Sequence, residues 1–317
     1  FNYSTNRNTN QNCSQEIFDK KSLIGNSFRS PKDKSHSPAI DLFSEYKISS
    51  KQSLLFNMVG KILQTNYDYS YTENVNENNS HFEYGVEGKR KSLITEIMHT
   101  YSLKNLSWDS GLRYKYSDTH NLYSYDIIND FDSKDQNLYA YTQFSGNVKN
   151  IYYMGGIGIN WVSFKEGGNS FYKVLYRPLG RIKYMPLDNF SMSYQFSMQP
   201  TIPSLSTLSG ITKSLNRYEF ETGNSALHPY DNIKHKLSLS WNPNRWYISL
   251  NYNIESAKNL FAPGIYCQNG KLGYQHINFD SKTVSKIDFY TSFDIIKDML
   301  FIDGYISYNY YKFRIED

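Results

Sequence analysis

Apolar and polar residues alternate one for one through most of this 317-residue chain, and few architectures use such a pattern. In residues 245–255, Trp246, Ile248, Leu250, Tyr252 and Ile254 alternate with Arg245, Tyr247, Ser249, Asn251, Asn253 and Glu255. Phe190, Met192, Tyr194, Phe196 and Met198 likewise oppose Ser191, Ser193, Gln195, Ser197 and Gln199. The same holds at 106–116 and 233–242. A strand sends successive side chains to opposite faces, so each segment has one apolar and one polar face. Helical spacing is absent at useful length. The pattern predicts 13 or 14 strands, at 1–5, 39–48, 53–71, 81–91, 92–104, 106–117, 136–147, 150–164, 171–184, 188–199, 232–242, 245–267, 273–295 and 299–313. Segments 81–91 and 92–104 are also readable as one strand.

Most of these segments exceed the roughly 5–6 residues of a typical globular strand. They match the roughly 9–11 tilted residues that cross a bilayer. Short connections, such as Asn147-Val148-Lys149-Asn150 and Asn242-Pro243-Asn244, contrast with long ones at 6–38, 118–135 and 200–231. Short turns on one side and long loops on the other mark outer-membrane barrels. A soluble β-sandwich also alternates. Three features weigh against it. The strands are long, aromatics gather near strand ends (Trp108, Trp161, Trp241, Trp246, Tyr305, Tyr308, Tyr310, Tyr311), and the polar faces carry neutral Ser, Asn, Gln and Tyr as a wet lumen would. The expected fold is therefore all-β, an antiparallel transmembrane β-barrel.

Composition excludes several alternatives. No apolar run approaches the roughly 18 residues of a membrane-spanning helix. Aromatics make up 17% of the chain, against disorder. A net charge of +4, with no Lys/Arg-rich run, gives no nucleic-acid face. Two cysteines, Cys13 and Cys267, make neither a disulfide scaffold nor a zinc cluster. A single Cys13–Cys267 bridge is conceivable in an oxidising exterior, and two free thiols are the simpler expectation. Phe1 is not an initiator Met, and no signal segment follows it. We expect a mature chain with its signal peptide removed, or an internal piece of a longer protein.

Four ordered elements carry a family resemblance. Gly111-Leu112-Arg113-Tyr114-Lys115-Tyr116 is similar to a Gly-Leu-Arg-x-Glu strand, with Lys115 in place of Glu. Leu138-Tyr139-Ala140-Tyr141 follows as the next strand start. The stretch from Gln199-Pro200-Thr201 to Leu208 is similar to Arg-Pro-Ser-x-x-x-Leu, with Gln199 for Arg. Gly223-Asn224-Ser225-Ala226-Leu227-His228-Pro229 is similar to Gly-Asn-Pro-x-Leu-x-Pro, with Ser225 for Pro. In this order the set resembles the barrel part of TonB-dependent outer-membrane receptors, well over 81–317 and loosely over 1–80.

The resemblance implies a barrel of about 22 strands around a plug. This chain would be its barrel domain, 1–317, without the N-terminal plug. It also implies a place in the outer membrane of a Gram-negative bacterium, in contact with outer-membrane lipid. Energised uptake of a scarce substrate would run through the TonB-ExbB-ExbD system by way of the missing plug, with a surface lipoprotein as a further partner. A passive porin or a surface-exposed structural or adhesion barrel is the alternative.

Within this frame, Gly223, Asn224, Leu227 and Pro229 shape either a ligand-facing loop or a structural re-entry into the barrel. Gly supplies unusual φ and Pro stiffens the chain, which favours the structural role. Asp126, Asp130, Asp132 and Asp135 are spaced as oxygen ligands for Ca²⁺. Their stretch lacks the turn Gly and closing Glu of an EF-hand, and Lys134 opposes them, so a solvated acidic loop is expected and no metal is assigned. His99 and His235 fall on apolar faces, which suggests packing. His120 with Asp118 or Asp126 is the one group with protease-like composition. No nucleophile motif, phosphate loop or carboxylate pair accompanies it, so no catalytic site, enzyme activity or cofactor is expected.

Overall fold

The alternating segments pair edge to edge in chain order. The computed structural model describes residues 2–7, 13–19, 22–75, 78–124, 128–166, 169–210, 212–215, 218–296 and 299–314. The wall begins with β1 (Asn2–Arg7) and β2 (Cys13–Asp19), both antiparallel to β3 (Ser22–Ser49). It continues through β4 (Gln52–Val75), β5 (Asn78–Ser102), β6 (Leu106–Ser124), β7 (Ile128–Val148) and β8 (Ile151–Glu166). β9 (Asn169–Tyr176) and β10 (Leu179–Leu187) pair with the upper and lower parts of β8. β11 (Phe190–Thr201) is followed by the single helical turn α1 (Leu205–Leu208), then β12 (Thr212–Ser214) and β13 (Glu219–Thr222). The wall resumes with β14 (Tyr230–Trp241) and β15 (Trp246–Lys258). It is interrupted by β16 (Phe261–Gln268) and β17 (Lys271–Asn278), and ends with β18 (Ser281–Ile296) and β19 (Leu300–Arg314).

Fifteen of these strands form one antiparallel sheet whose order follows the chain. Its edges are β19 at one end and β1 with β3 at the other. The second sheet has four strands, in the order β12-β13-β17-β16, with β13 and β17 parallel.

The two faces of the wall follow the sequence alternation. On the outer face Leu250 is 40% exposed and Met192 39%, although each sits within a paired ladder, and Trp246 at the start of β15 is 46% exposed. Among the described residues the buried hydrophobic ones are few, and include Val162, Phe164, Leu208 and Leu227. A water-soluble sandwich would bury the apolar rows between two sheets. Here those rows face outward, as hydrocarbon requires, and the backbone groups pair within the sheet. The opposite face carries a hydrogen-bonded polar ladder. Ser191 and Ser240 hydroxyls lie 2.7 Å apart, Ser238 donates to Asn251 Oδ1 at 2.7 Å, and Lys234 pairs with Glu255 at 3.2 Å.

Several sequence expectations need correction. Residues 22–38, 118–124 and 128–135 are not loops. They extend β3, β6 and β7, so β3, β4 and β5 reach 28, 24 and 25 residues. A bilayer needs roughly 9–11 residues, so these hairpins stand well above it. Their polar residues belong to strands wetted on both faces, where no apolar row is needed. Segments 81–91 and 92–104 form the single strand β5. The expected strand 171–184 breaks at Arg177-Pro178, because Pro has no N–H for the ladder. The expected strands 245–267 and 273–295 each divide, at 259–260 and 279–280, and their distal parts leave the wall as the β16–β17 hairpin. The turn of that hairpin is Asn269-Gly270 with φ of 52° and 73°, the pair of positive values a tight type I′ hairpin demands.

Candidate ligand mouth and lumen

The connections 50–51, 103–105, 149–150, 188–189 and 242–245 lie at one end of the wall, and the segments 202–229 and 259–280, with the far ends of the long β4–β5 and β6–β7 hairpins, lie at the other. Outer-membrane barrels put their longer loops outside the cell, so the second end is the extracellular mouth. The four-stranded sheet forms there from two segments far apart in sequence.

This small sheet is fastened to the inner wall at two places. Around β8, Leu227 is fully buried and packs with Phe164 and Leu208, with Phe171 and Phe261 against them. At β4, Tyr69 donates from its hydroxyl to the Leu215 carbonyl at 3.1 Å. Tyr84 lies beside Tyr69, with ring centroids 5.1 Å apart, and Tyr67 stands 5.8 Å from Tyr84. Burial raises the pKa of the Tyr84 phenol, and the neighbouring tyrosines and Glu221 of β13 push it the same way. The Tyr84 phenol therefore stays protonated at any ordinary pH.

The motif residues sit at the first fastening. A Cβ on Gly223 would overlap the Ser209 carbonyl oxygen, so the close approach of the two backbones needs glycine. Asn224 takes the Thr207 carbonyl on its N–H at 2.7 Å, donates from Nδ2 to the His276 carbonyl at 2.9 Å, and accepts the Ala226 N–H on Oδ1 at 2.9 Å. Gln275 donates to the Gly223 carbonyl at 2.9 Å. Pro229 is buried at the point where the chain re-enters the wall as β14. All four motif residues thus face protein rather than an open cavity.

Beneath α1 lies a cavity of about 300 Å³, lined by Arg90, Lys115, Asp135 and Asn137 from the wall and by Ile202 and Leu208 from the loop. Arg90 donates to the Ser117 hydroxyl at 2.9 Å, and Lys115 pairs with Asp135 at 3.4 Å. The cavity offers charged donors and acceptors beside an apolar lid. It belongs to the small end of the volumes that hold small ligands.

The acidic stretch divides. Asp135 faces inward to Lys115, whereas Asp130 and Asp132 face outward with His120. His120 Nδ1 lies 2.9 Å from Asp132 and 3.2 Å from Asp130. Their ligand-capable atoms fall within 4.8 Å of one another, and all three groups are exposed. They satisfy one another as an ion pair. Asp126 lies outside the described residues. His99 packs edge-on to Trp108 at 6.1 Å, and His235 accepts or donates to the Tyr194 hydroxyl at 2.8 Å. Cys13 and Cys267 are both free and exposed. Sequence reasoning missed the aromatic fastening at Tyr67, Tyr69 and Tyr84 and the β16–β17 hairpin. The Asn269-Gly270 dipeptide was the available signal for the hairpin.

No family model and no curated protein sequence matches the chain. Solved structures do. The copper transporter OprC is 8% identical over 92% of this chain and 57% of its own, with a TM-score of 0.62. The siderophore receptor PirA from Pseudomonas aeruginosa is 11% identical over 96% and 65%, with a TM-score of 0.53. The ferric-catecholate import receptor Fiu from K12 E. coli is 10% identical over 86% and 46%, with a TM-score of 0.53. The chain thus spans 46% to 65% of the length of these proteins. At such identities the likeness is one of fold. The fold is the barrel wall of the TonB-dependent outer-membrane receptors, the group that the ordered motifs resemble.

Proposed function

We propose that the protein is the wall and extracellular mouth of a TonB-dependent receptor that takes up a scarce solute. The observation that carries this reading is the four-stranded sheet pinned across the mouth, at Leu227 on one side and Tyr69 on the other. A passive pore has no use for a covered mouth, whereas a receptor captures its cargo there before passing it inward. The polar lumen face and the transport roles printed for the similar structures support the same reading.

In this account residues 1–317 are barrel, and the plug and the remaining wall strands lie elsewhere in a longer protein. Free strand edges in hydrocarbon leave backbone groups unpaired, so β19 and the lower part of β3 take those further strands. The plug couples to TonB-ExbB-ExbD, and a surface lipoprotein is a further partner. The protein is a transporter rather than an enzyme. Gly223, Asn224, Leu227 and Pro229 act as the structural hinge of the mouth and do not touch cargo.

The test is uptake by cells whose other metal-chelate receptors have been deleted, with and without TonB. The expected result is growth on a chelated metal that depends both on this protein and on TonB. Conductance or uptake that persists at full rate without TonB would support a porin instead.

A further inference from the structure

The lumen face of the wall carries one cluster of positive charge that its neighbours do not neutralise. Arg181 and Lys183 stand two residues apart on β10 and so share a face. In register Arg181 meets Gln195 of β11, which in turn meets Lys236 of β14. Lys183 meets Ser193, and Ser193 meets Ser238. Neighbouring strands lie about 4.8 Å apart, so the stems of Arg181 and Lys236 are about 10 Å apart, with Gln195 between them. The three cations border a hollow of about 230 Å³ whose other walls are neutral, Ser193, Gln195, Ser238 and Asn251 among them.

The same rows lead to carboxylates that are already engaged. Glu255 of β15 is held by Lys234 at 3.2 Å and by Asn232 at 3.0 Å. Asp288 of β18, beyond Asn251 in register, is held by Lys286 at 3.0 Å and by the Tyr305 hydroxyl at 2.6 Å. On the other side β8 presents Met154 to Arg181 and Tyr152 to Lys183. Among the described residues Arg181, Lys183 and Lys236 make no ion pair. Lys234 cancels Glu255 and Lys286 cancels Asp288, so the cluster keeps its three positive charges. It is separate from the cavity beneath α1, whose charged groups come from β5, β6 and β7.

We propose that this cluster is a binding site in the lumen for a solute that carries two or more oxyanion groups, carboxylate or phosphate. The inference rests on the receptor reading for the passage of solute, and adds the solute's chemical class. A lone anionic group meets one cation at a time, whereas two or three linked groups span Arg181, Lys183 and Lys236 together. The guanidinium offers paired N–H donors, the two ammonium groups add point charge, and the Ser and Gln side chains donate further hydrogen bonds. A passage lined by one sign of charge and walled by a low-dielectric medium focuses the field, so an anion is drawn in and a free cation is turned away.

The test is equilibrium dialysis of the full protein, purified in detergent without TonB, against radiolabelled citrate, pyrophosphate or trimethyl citrate, the last having the citrate skeleton without its charge. Wild type should bind at least one of the two anions, and the neutral ester about tenfold more weakly or worse. Retention of citrate alone would identify the groups as carboxylates, and of pyrophosphate alone as phosphates. The triple variant Arg181→Gln, Lys183→Gln, Lys236→Gln should weaken anion binding by about tenfold or more. Lys236 is exposed, so Lys236→Gln alone should fold and show a smaller loss, which Lys236→Arg restores. Lys61 stands on β4, opposite Ser92 and remote from the cluster, so Lys61→Gln is the matched control and should bind as wild type does. Absence of binding of both anions, equal binding of the ester, wild-type binding by the cluster variants, or equal loss in the Lys61 control would overturn the proposal. TonB-independent uptake with anion binding intact would instead overturn the receptor reading and leave this site standing.

Discussion

Gly111 on β6 lies directly under the ring of Tyr141 on β7, its partner in register. A Cβ at Gly111 would come within 2.5 Å of that ring. Tyr139, two residues earlier on the same face, covers Gly158 of β8 in the same way, and its ring takes the Arg177 guanidinium at 4.9 Å. The two rings stack with centroids 5.4 Å apart. A lumen wall built so lets bulky phenols lie flat where upright ones would fill the passage.

Gly111→Ala should therefore destabilise the wall, by about 1–3 kcal/mol, the usual cost of overpacking. Gly60→Ala, facing open space, should change stability little. Urea unfolding of the two variants in the same detergent makes the comparison. Equal effects would contradict the flat-lying arrangement.

Leu227→Ala should loosen the mouth without unfolding the wall. Truncating a fully buried Leu costs about 2–5 kcal/mol, and here the loss falls on contacts with Phe164 and Leu208. Limited proteolysis should cut residues 202–229 faster in the variant, with the strands as resistant as before. Unchanged cleavage would show that the loop is held by other means.

The His120 imidazole has its pKa raised, first by the hydrogen bond to Asp132 and next by the charge of Asp130. A raised folded-state pKa means that the pairing stabilises the hairpin fully below the ordinary histidine value. The benefit fades as pH rises through the raised value. Asp132→Asn should lower the His120 pKa toward its usual range. A proton-carbon NMR titration of the His120 ring reads this directly, and an unaltered titration would refute the pairing.

Both cysteines should react with a membrane-impermeant maleimide without prior reduction, giving two adducts by mass. A mass two protons lighter and unreactive would reveal a Cys13–Cys267 bridge instead.

The membrane-crossing wall was legible because hydrocarbon on one face and water on the other forces alternation, as in Trp246 to Glu255. Where both faces are wet, that pressure vanishes. Residues 22–38, 118–124 and 128–135 therefore read as loops although they pair as strands. Tyr69 and Leu215 meet through folding of the loop over the lumen, and no local pattern announces a contact across 146 positions. Leu227 was legible as a motif residue, yet its burial depends on Phe164 and Leu208, from other parts of the chain.

The account depends most on which face meets lipid. Spin labels placed singly at positions 192, 237 and 250, and at 193, 238 and 251, test it in the membrane-embedded protein. The assignment of faces predicts that labels at 192, 237 and 250 relax with oxygen dissolved in the bilayer. Labels at 193, 238 and 251 should relax with a water-soluble nickel chelate. The reverse pattern would contradict a wall with hydrocarbon outside and a wet lumen within.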